Sequence, residues 1–440
     1  MVRRLTGART AVVIVAFQVL FVIAGSGVQA TTISPSCSYD LGTRVSGLDV
    51  DWRHVAAGGY HGPLVLLHAS WFSSCSPWTP LWRDNTANVA GGGANQEYLT
   101  DAVALSRSLG IVVAGAADGN VKFYGFGSQV PFSSYLLDAT NETMAVDIAP
   151  TPNAVFPPVV AGGGRTLAAF DSAGILRWQL ESLGNPGSRI VSLEMSDPGK
   201  YIAVGQESLV DGPAQVHLVE NLGSSARVVW SYQVLGFDTA VVDISERGNT
   251  FSSPVVAVGL QDKNSCWLYD NIYVFFAGYD GQWGTIDDDL PLWTASEGSM
   301  VYSVSVSSRD PDSGNDRTWG TYDDQPNHVY TGSDAQNAGA EYNWKDGSRM
   351  GSWPVGSPIY DGDTEEDFQG EFMGEIFWGG GVVGSPSTYG VHERWLHHPP
   401  SDWDYQMNAT VHAVAVSLFC YLAAGGDDGN VSYWIRCDPS

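Results

Sequence analysis

Two stretches of the chain space carboxylates in a way that suits a hard divalent cation. "DGQWGTIDD", residues 280–288, and "DRTWGTYDD", residues 316–324, share the order Asp-x-x-Trp-Gly-Thr-x-Asp-Asp. Calcium collects about six to eight oxygens from carboxylates and backbone carbonyls. A turn at Trp-Gly-Thr would carry Asp280 back towards Asp287 and Asp288, and Asp316 back towards Asp323 and Asp324. These aspartates are the candidate metal ligands, and calcium is the candidate cofactor. "YDGDTEED", residues 360–367, is a third acidic stretch, with Asp361 and Asp363 at alternating positions. The competing reading of all three is a solvated acidic loop that adds only solubility. A bound calcium would order the insertions rather than catalyse.

Other chemistry is thinly represented. The chain has no GxSxG, HExxH or P-loop motif. His397 and His398 are adjacent, and adjacent side chains rarely converge on one ion, so they read as a surface pair. His54, His61 and His68 flank strands and turns and read as structural. Cys37, Cys75, Cys266, Cys420 and Cys437 form no CxxC or zinc spacing. Cys420 and Cys437 flank the last repeated phrase, and Cys37 can reach the same place from the other terminus, so the disulfide pairing stays open. No catalytic residue and no organic-cofactor residue is assigned.

The first thirty residues stand apart from the rest. Arg3, Arg4 and Arg9 precede an apolar run from Ala11 to Ala24, and Val28-Gln29-Ala30 sets small residues where a signal peptidase reads. The run is shorter than the roughly 20 residues a spanning helix needs. The expectation is a secretory signal peptide over 1–30, with an uncleaved anchor as the alternative. After cleavage no segment would insert in a membrane, and the protein would be secreted or held at the cell surface. Cleavage removes three arginines and no acid, moving the formal charge from −27 to −30. Such a surface repels nucleic-acid phosphates and anionic lipid heads, so nucleic acid is excluded as a partner. Charged residues make up only 16% of the chain, against 51 glycines and 12% aromatics, which fits short strands and tight turns and not disorder.

A phrase recurs along residues 31–440. "VAGAADGNVKFY", residues 113–124, returns as "AAGGDDGNVSYW", residues 423–434. Opening strands alternate with period two: "VSGLDVD" from Val45, "LTDAVALS" from Leu99, "MAVDIAP" from Met144, "IVSLEMS" from Ile190, "TAVVDIS" from Thr239, "VYSVSVS" from Val301 and "VHAVAVS" from Val411. A second strand running into Ala-Gly or Gly-Gly follows each. The starts lie 45 to 62 residues apart until a last gap of 110, where "GEIFWGGG" and "STYGVHERW" form a divergent extra unit. Short strands at this period predict an all-β fold, a single β-propeller of four-stranded blades. Eight blades are favoured and seven is the alternative. The last unit has three strands, and "SCSYDLGT", residues 36–43, would supply its fourth and close the ring. Long acidic insertions fall around 277–327 and 357–372.

"TLAAFDSAGILRWQL" and "EYNWKDGSRMGSWPVGSPIYDGD" resemble the quinoprotein-like (PQQ-like) repeat, and "GGDDGNVSYW" resembles WD40-like blades. The quinone-dependent enzymes of that superfamily set adjacent cysteines against the cofactor. This chain has no adjacent pair, so no PQQ is expected. "SGNDRTW", residues 313–319, is partly similar to a sialidase Asp box but lacks its glycine. The paired acidic stretches resemble Asp-Gly-x-x-Gly-Thr-x-Asp-Asp loops of secreted proteins. The functional expectation is a non-catalytic module that binds a protein or a glycan at the cell surface, with a binding face offered by Trp283, Trp319, Trp344 and Trp353; packing between blades is the competing reading, and the better one for Trp344, which sits in a third-strand position. The alternative is an extracellular hydrolase or lyase with its site in the axial channel.

Overall fold

The computed structural model describes residues 31–33, 35–69, 78–91, 102–149, 155–196, 199–210, 212–245, 254–261, 270–277, 282–285, 290–306, 328–334, 339–353, 358–365, 375–382, 385–395, 403–417 and 421–435. The signal-peptide expectation over 1–30 therefore lies outside the described residues. All regular elements described are strands. No helix among the described residues is long and apolar enough to cross a membrane.

Two short strands come first, β1 (Thr31–Ile33) and β2 (Cys37–Asp40). Four-strand groups follow in chain order. The first holds β3 (Val45–Asp51), β4 (His54–Gly59), β5 (Leu64–His68) and β6 (Pro80–Asp84). The second holds β7 (Val103–Ser106), β8 (Ile111–Gly115), β9 (Asn120–Gly125) and β10 (Ser133–Leu136). The third holds β11 (Thr143–Ile148), β12 (Val159–Gly163), β13 (Thr166–Phe170) and β14 (Leu176–Leu180). The fourth holds β15 (Ser188–Met195), β16 (Tyr201–Ser208), β17 (Ala214–Asn221) and β18 (Ala226–Val234). The fifth holds β19 (Thr239–Ile244), β20 (Val256–Gln261), β21 (Ile272–Phe275) and β22 (Trp293–Ala295), bridged to the fourth at Glu207–Thr239. The sixth holds β23 (Val301–Val306), β24 (His328–Ser333), β25 (Gly339–Asn343) and β26 (Arg349–Trp353). The seventh holds β27 (Ile359–Glu365), β28 (Glu375–Val382), β29 (Ser385–Trp395) and β30 (Trp403–Gln406). The last holds β31 (Val411–Ser417), β32 (Tyr421–Gly426) and β33 (Asn430–Ile435).

Within each group, consecutive strands pair antiparallel. The N-terminal strand β2 completes the last group, with Cys37 opposite Tyr433 and Asp40 opposite Asn430. This is the pairing expected of residues 36–43. The strand β1 was not anticipated: it adds to the outer edge of the seventh group, parallel to β30, with Thr31 opposite Trp403.

Burial explains the strand patterns. Second strands such as β8 and β12 are buried at every position, because both faces meet a neighbouring sheet. Fourth strands such as β14 bury one position in five and expose the outer edge. The core lies between sheets. Leu64 and Leu66 pack with Val103 and Tyr124, and Val113 and Phe123 pack with Val159 and Phe170. One cluster joins the two ends of the series: Val55, Val65 and Leu67 with Tyr421, Val431 and Tyr433. Each first strand packs on the first strand of the next group, and β31 packs on β3.

The Ala-Gly step has a definite use. A Cβ at Gly162 on β12 would stand 2.5 Å from Ile190 of the next group, and one at Gly425 on β32 would collide with Val45. Gly58, Gly205 and Gly259 meet the next first strand in the same way. Glycine here admits the neighbouring blade's opening strand.

Candidate functional site: the axial cavity and its rims

The first strands surround a cavity of about 250 Å³. Its wall takes residues from every one of them: Asp49 of β3, Ala104 of β7, Asp147 of β11, Glu194 of β15, Asp243 of β19, Ser305 of β23, Asp361 of β27 and Ala415 of β31. The aspartates alternate with other residues around this wall and repeat one geometry. Oδ1 of each accepts the N–H of its own successor: Val50 at 2.7 Å, Ile148 at 2.6 Å, Ile244 at 2.6 Å and Gly362 at 2.9 Å. Oδ2 accepts an N–H from the next group's first strand: Leu105 at 2.6 Å, Met195 at 2.7 Å, Val306 at 2.6 Å and Val414 at 2.7 Å. Each aspartate thus clamps one blade to the next. Asp361 is one of them. In the sequence it belongs to an acidic stretch expected to form a loop; it stands on β27 because the first residues of that stretch continue the opening strand.

Tryptophans reinforce the same joints further out. Trp82 Nε1 donates to the Phe126 carbonyl at 3.1 Å, Trp178 Nε1 to Asn221 Oδ1 at 3.0 Å, and Trp293 Nε1 to the Trp344 carbonyl at 2.5 Å. These bonds join the first group to the second, the third to the fourth and the fifth to the sixth. Trp344 is buried, and Trp283 is half-buried against Trp230 with ring centroids 5.4 Å apart. Both serve packing and not an open face. Trp319 and the Trp353 side chain lie outside the described residues.

The cavity has two rims. At the starts of the opening strands, Tyr302 lies tilted against Tyr360 with ring centroids 5.3 Å apart, and Tyr360 stacks on His412 at 5.2 Å. His412 Nε2 bonds Asp427 Oδ1 at 2.9 Å, and Arg44 stands 3.6 Å from the same carboxylate. Burial works to raise the Asp427 carboxyl, but the His412 bond and the His412 and Arg44 charges outweigh it, so its pKa is lowered. His61 bonds Glu142 at 2.9 Å on this side, a structural use as expected.

The opposite rim, at the ends of the opening strands, is cationic and aromatic. The β3–β4 hairpin turns through Trp52 and Arg53, with Trp52 at φ 61° and its N–H donated to Ser417 Oγ at 2.8 Å. Arg107, after β7, lays its guanidinium 3.6 Å from the Trp52 ring centroid, and Arg53 lies 5.3 Å from it. Behind them His54 packs on His68 at 4.8 Å and on Phe126 at 4.7 Å. Burial, then the charges of His68, Arg107 and Arg53, press the His54 pKa down to about 4, so its imidazole is neutral at pH 7. Burial raises the Asp51 carboxyl, opposed by the Arg107 main-chain bond at 2.5 Å and the Arg107 charge.

The candidate metal ligands Asp280, Asp287, Asp288, Asp316, Asp323 and Asp324 lie outside the described residues. The turn expected between the first three is present: Gly284 has φ 86° and Thr285 Oγ1 donates to the Gln282 carbonyl at 3.2 Å. Among the described residues, no group of three or more His, Cys, Asp and Glu is placed to hold a metal ion. Sequence reading missed the aspartate clamps and the Trp52 cluster. A signal for the clamps was present, an acid repeated inside apolar opening strands; none marked Trp52.

No family model matches the chain, and no curated protein matches it. Solved structures do. One is the computationally designed protein Ika8, with a TM-score of 0.54 and 16% identity over 92% of this chain and 99% of that one. Another is Sqt1 of Chaetomium thermophilum, bound to the N-terminus of the ribosomal protein L10. Its TM-score is 0.52, with 13% identity over 90% of this chain and 84% of that one. At such identities the likeness concerns the fold, and together with the sheets it defines a β-propeller-like protein.

Proposed function

We propose that the chain is a closed, eight-bladed propeller that works as a non-catalytic protein-binding scaffold, secreted or held at the cell surface. The observation that carries the reading is the state of the channel carboxylates. A hydrolase or lyase at this axis needs a carboxylate free to exchange a proton with substrate. Four of the five carboxylates on the wall, Asp49, Asp147, Asp243 and Asp361, instead accept backbone N–H groups on both oxygens within 2.9 Å; Glu194 is the fifth. What is left for function is recognition at the rims. Sqt1, a chain of similar fold, is bound to a protein's N-terminus, which supports a protein partner over a glycan.

Ring closure is supported by the β31–β3 packing and by the core shared between the first and last groups. Eight blades are supported by the first strands that line the cavity. Export is supported by residues 1–30 as a signal peptide. Cys37, on β2 at the seam between the termini, suits a disulfide there. Calcium at the paired acidic motifs would order the insertions; β21 and β23, which precede them, both end on the side where the opening strands end. The test is cross-linking on intact producing cells with a carboxylate-reactive reagent, read by mass spectrometry. Recurrent links from rim residues to one envelope protein are expected. Free monomer with no recurrent protein partner would overturn the reading.

A further inference from the structure

Trp52 is half-buried and leans on the core cluster that joins the first and last groups, but the core does not explain the exposed Arg107 laid over its ring. Left-handed backbone is costly for a bulky residue, and such strain gathers where a side chain is needed for function. Trp52 adopts it at φ 61° in a two-residue hairpin turn, where glycine or asparagine would sit more easily. Arg107 comes from the neighbouring blade and covers the indole at 3.6 Å. It is exposed, and among the described residues its guanidinium meets no carboxylate at ion-pair distance. Arg83 and Arg165 likewise meet no carboxylate, but their guanidinium groups donate to backbone carbonyls, which that of Arg107 does not among the described residues. The nearby Asp51 carboxylate accepts the Arg107 main-chain N–H and feels the guanidinium charge, but no ion pair joins the two side chains.

We propose that Arg107, stacked on Trp52, is the docking point for a carboxylate carried by an otherwise uncharged segment of a protein partner. The proposal rests on the protein-binding reading above and names the chemistry of the contact. A guanidinium presents parallel N–H donors that match a carboxylate bidentately. The indole beneath it fixes the plane of that fork before the ligand arrives, which lowers the entropy lost on binding. Tryptophan and arginine are also the residues most often found at binding hot spots.

Two observations point away from a glycan. The guanidinium covers the indole face on which a sugar ring would stack. The body of the protein, at a formal charge of −27, repels a sulfated or uronic polyanion. A single carboxylate among neutral residues is repelled far less, since salt screens charges beyond about 8 Å. Burial holds both His54 and His68 towards the neutral form, so the attraction comes from Arg107 and Arg53, with Asp51 opposing it.

The test is selection of random twelve-residue displayed peptides on the full-length protein, followed by titration of the leading peptide in labelled form. Enriched peptides are expected to carry an Asp, a Glu or a free C-terminal carboxylate in neutral surroundings. R107Q should bind the leading peptide at least tenfold more weakly, with thermal unfolding unchanged because the side chain is exposed. Replacing the peptide carboxylate by its carboxamide should cost as much on the wild type and nothing further on R107Q. R107K, which keeps the charge and loses the fork, should recover only part of the affinity. Equal binding by R107Q, or enrichment of peptides without carboxylates, would overturn the site and leave the protein-binding reading standing. Enrichment of no peptide, with binding of a uronic-acid oligosaccharide, would overturn both.

Discussion

Replacing Asp147 by asparagine tests the blade clamp at one atom. Its carboxylate accepts Ile148 N–H at 2.6 Å and, across the blade joint, Met195 N–H at 2.7 Å. Asparagine keeps one accepting oxygen and turns an amide NH2 towards the other N–H. A hydrogen bond to a charged acceptor contributes about 1.5–3 kcal/mol, and a buried N–H left unpaired costs about 1–3 kcal/mol. Met195 is fully buried, so water does not replace the lost partner. The expected loss is therefore about 3 kcal/mol. Unfolding entropy of about 2.1 cal/mol/K per residue, over a domain of roughly 400 residues, converts this to a fall in Tm of about 3–4 °C. The sharper assay is native-state hydrogen exchange. The Met195 amide should exchange about a hundredfold faster, since each 1.4 kcal/mol is tenfold. D49N, D243N and D361N should each act in the same way on Leu105, Val306 and Val414. Exchange at Met195 within twofold of the wild type, or a Tm change under about 0.5 °C, would refute the clamp.

His217 should make the protein acid-sensitive. Burial lowers its pKa from 6.5 to about 4, while its ring bonds Ser231 Oγ at 2.7 Å and Gln206 Oε1 at 3.3 Å. The unfolded chain takes this proton from about pH 6.5 downward and the native chain only near 4. The stability it contributes is thus complete above 6.5 and falls by about 3 kcal/mol as the pH drops through that window. Urea unfolding of His217→Gln should show a flatter pH dependence there; an unchanged slope would show that His217 is not the group. Deleting residues 31–43 removes β2 and bares the edge of β33, so the protein should aggregate or lose its sharp thermal transition, whereas deleting 31–34 should cost far less. Equal behaviour of the two deletions would contradict closure by β2. Calorimetric titration with calcium chloride should give heat that D280N combined with D316N abolishes; no heat with the wild type would remove calcium from the account.

What could be read from the residues was what repeats. Opening strands alternate because one face lines the cavity, and the Ala-Gly step recurs because each second strand receives a neighbour, as Gly162 receives Ile190. The completing role of residues 36–43 followed from the three strands of the last unit. The strand β1 left no such trace, since three residues joined by main-chain pairing to β30 carry no side-chain pattern. The clamps were half legible. Asp147 stands in plain view within "MAVDIA", but its partner Met195 is 48 positions away and contributes only an N–H. Trp52 was not legible, because Trp-Arg is not a turn signal and its positive φ follows from the register that sets Asp51 opposite His54.

The measurement that bears most directly on the account is hydrogen exchange of the full chain, alone and bound to the partner captured by cross-linking. The account predicts protection at the β3–β4 and β7–β8 turns, around Trp52 and Arg107, with the cavity wall at Asp147 and Asp243 unchanged because it is already closed. Protection confined to the outer fourth strands or to the Tyr302–His412 rim would contradict it.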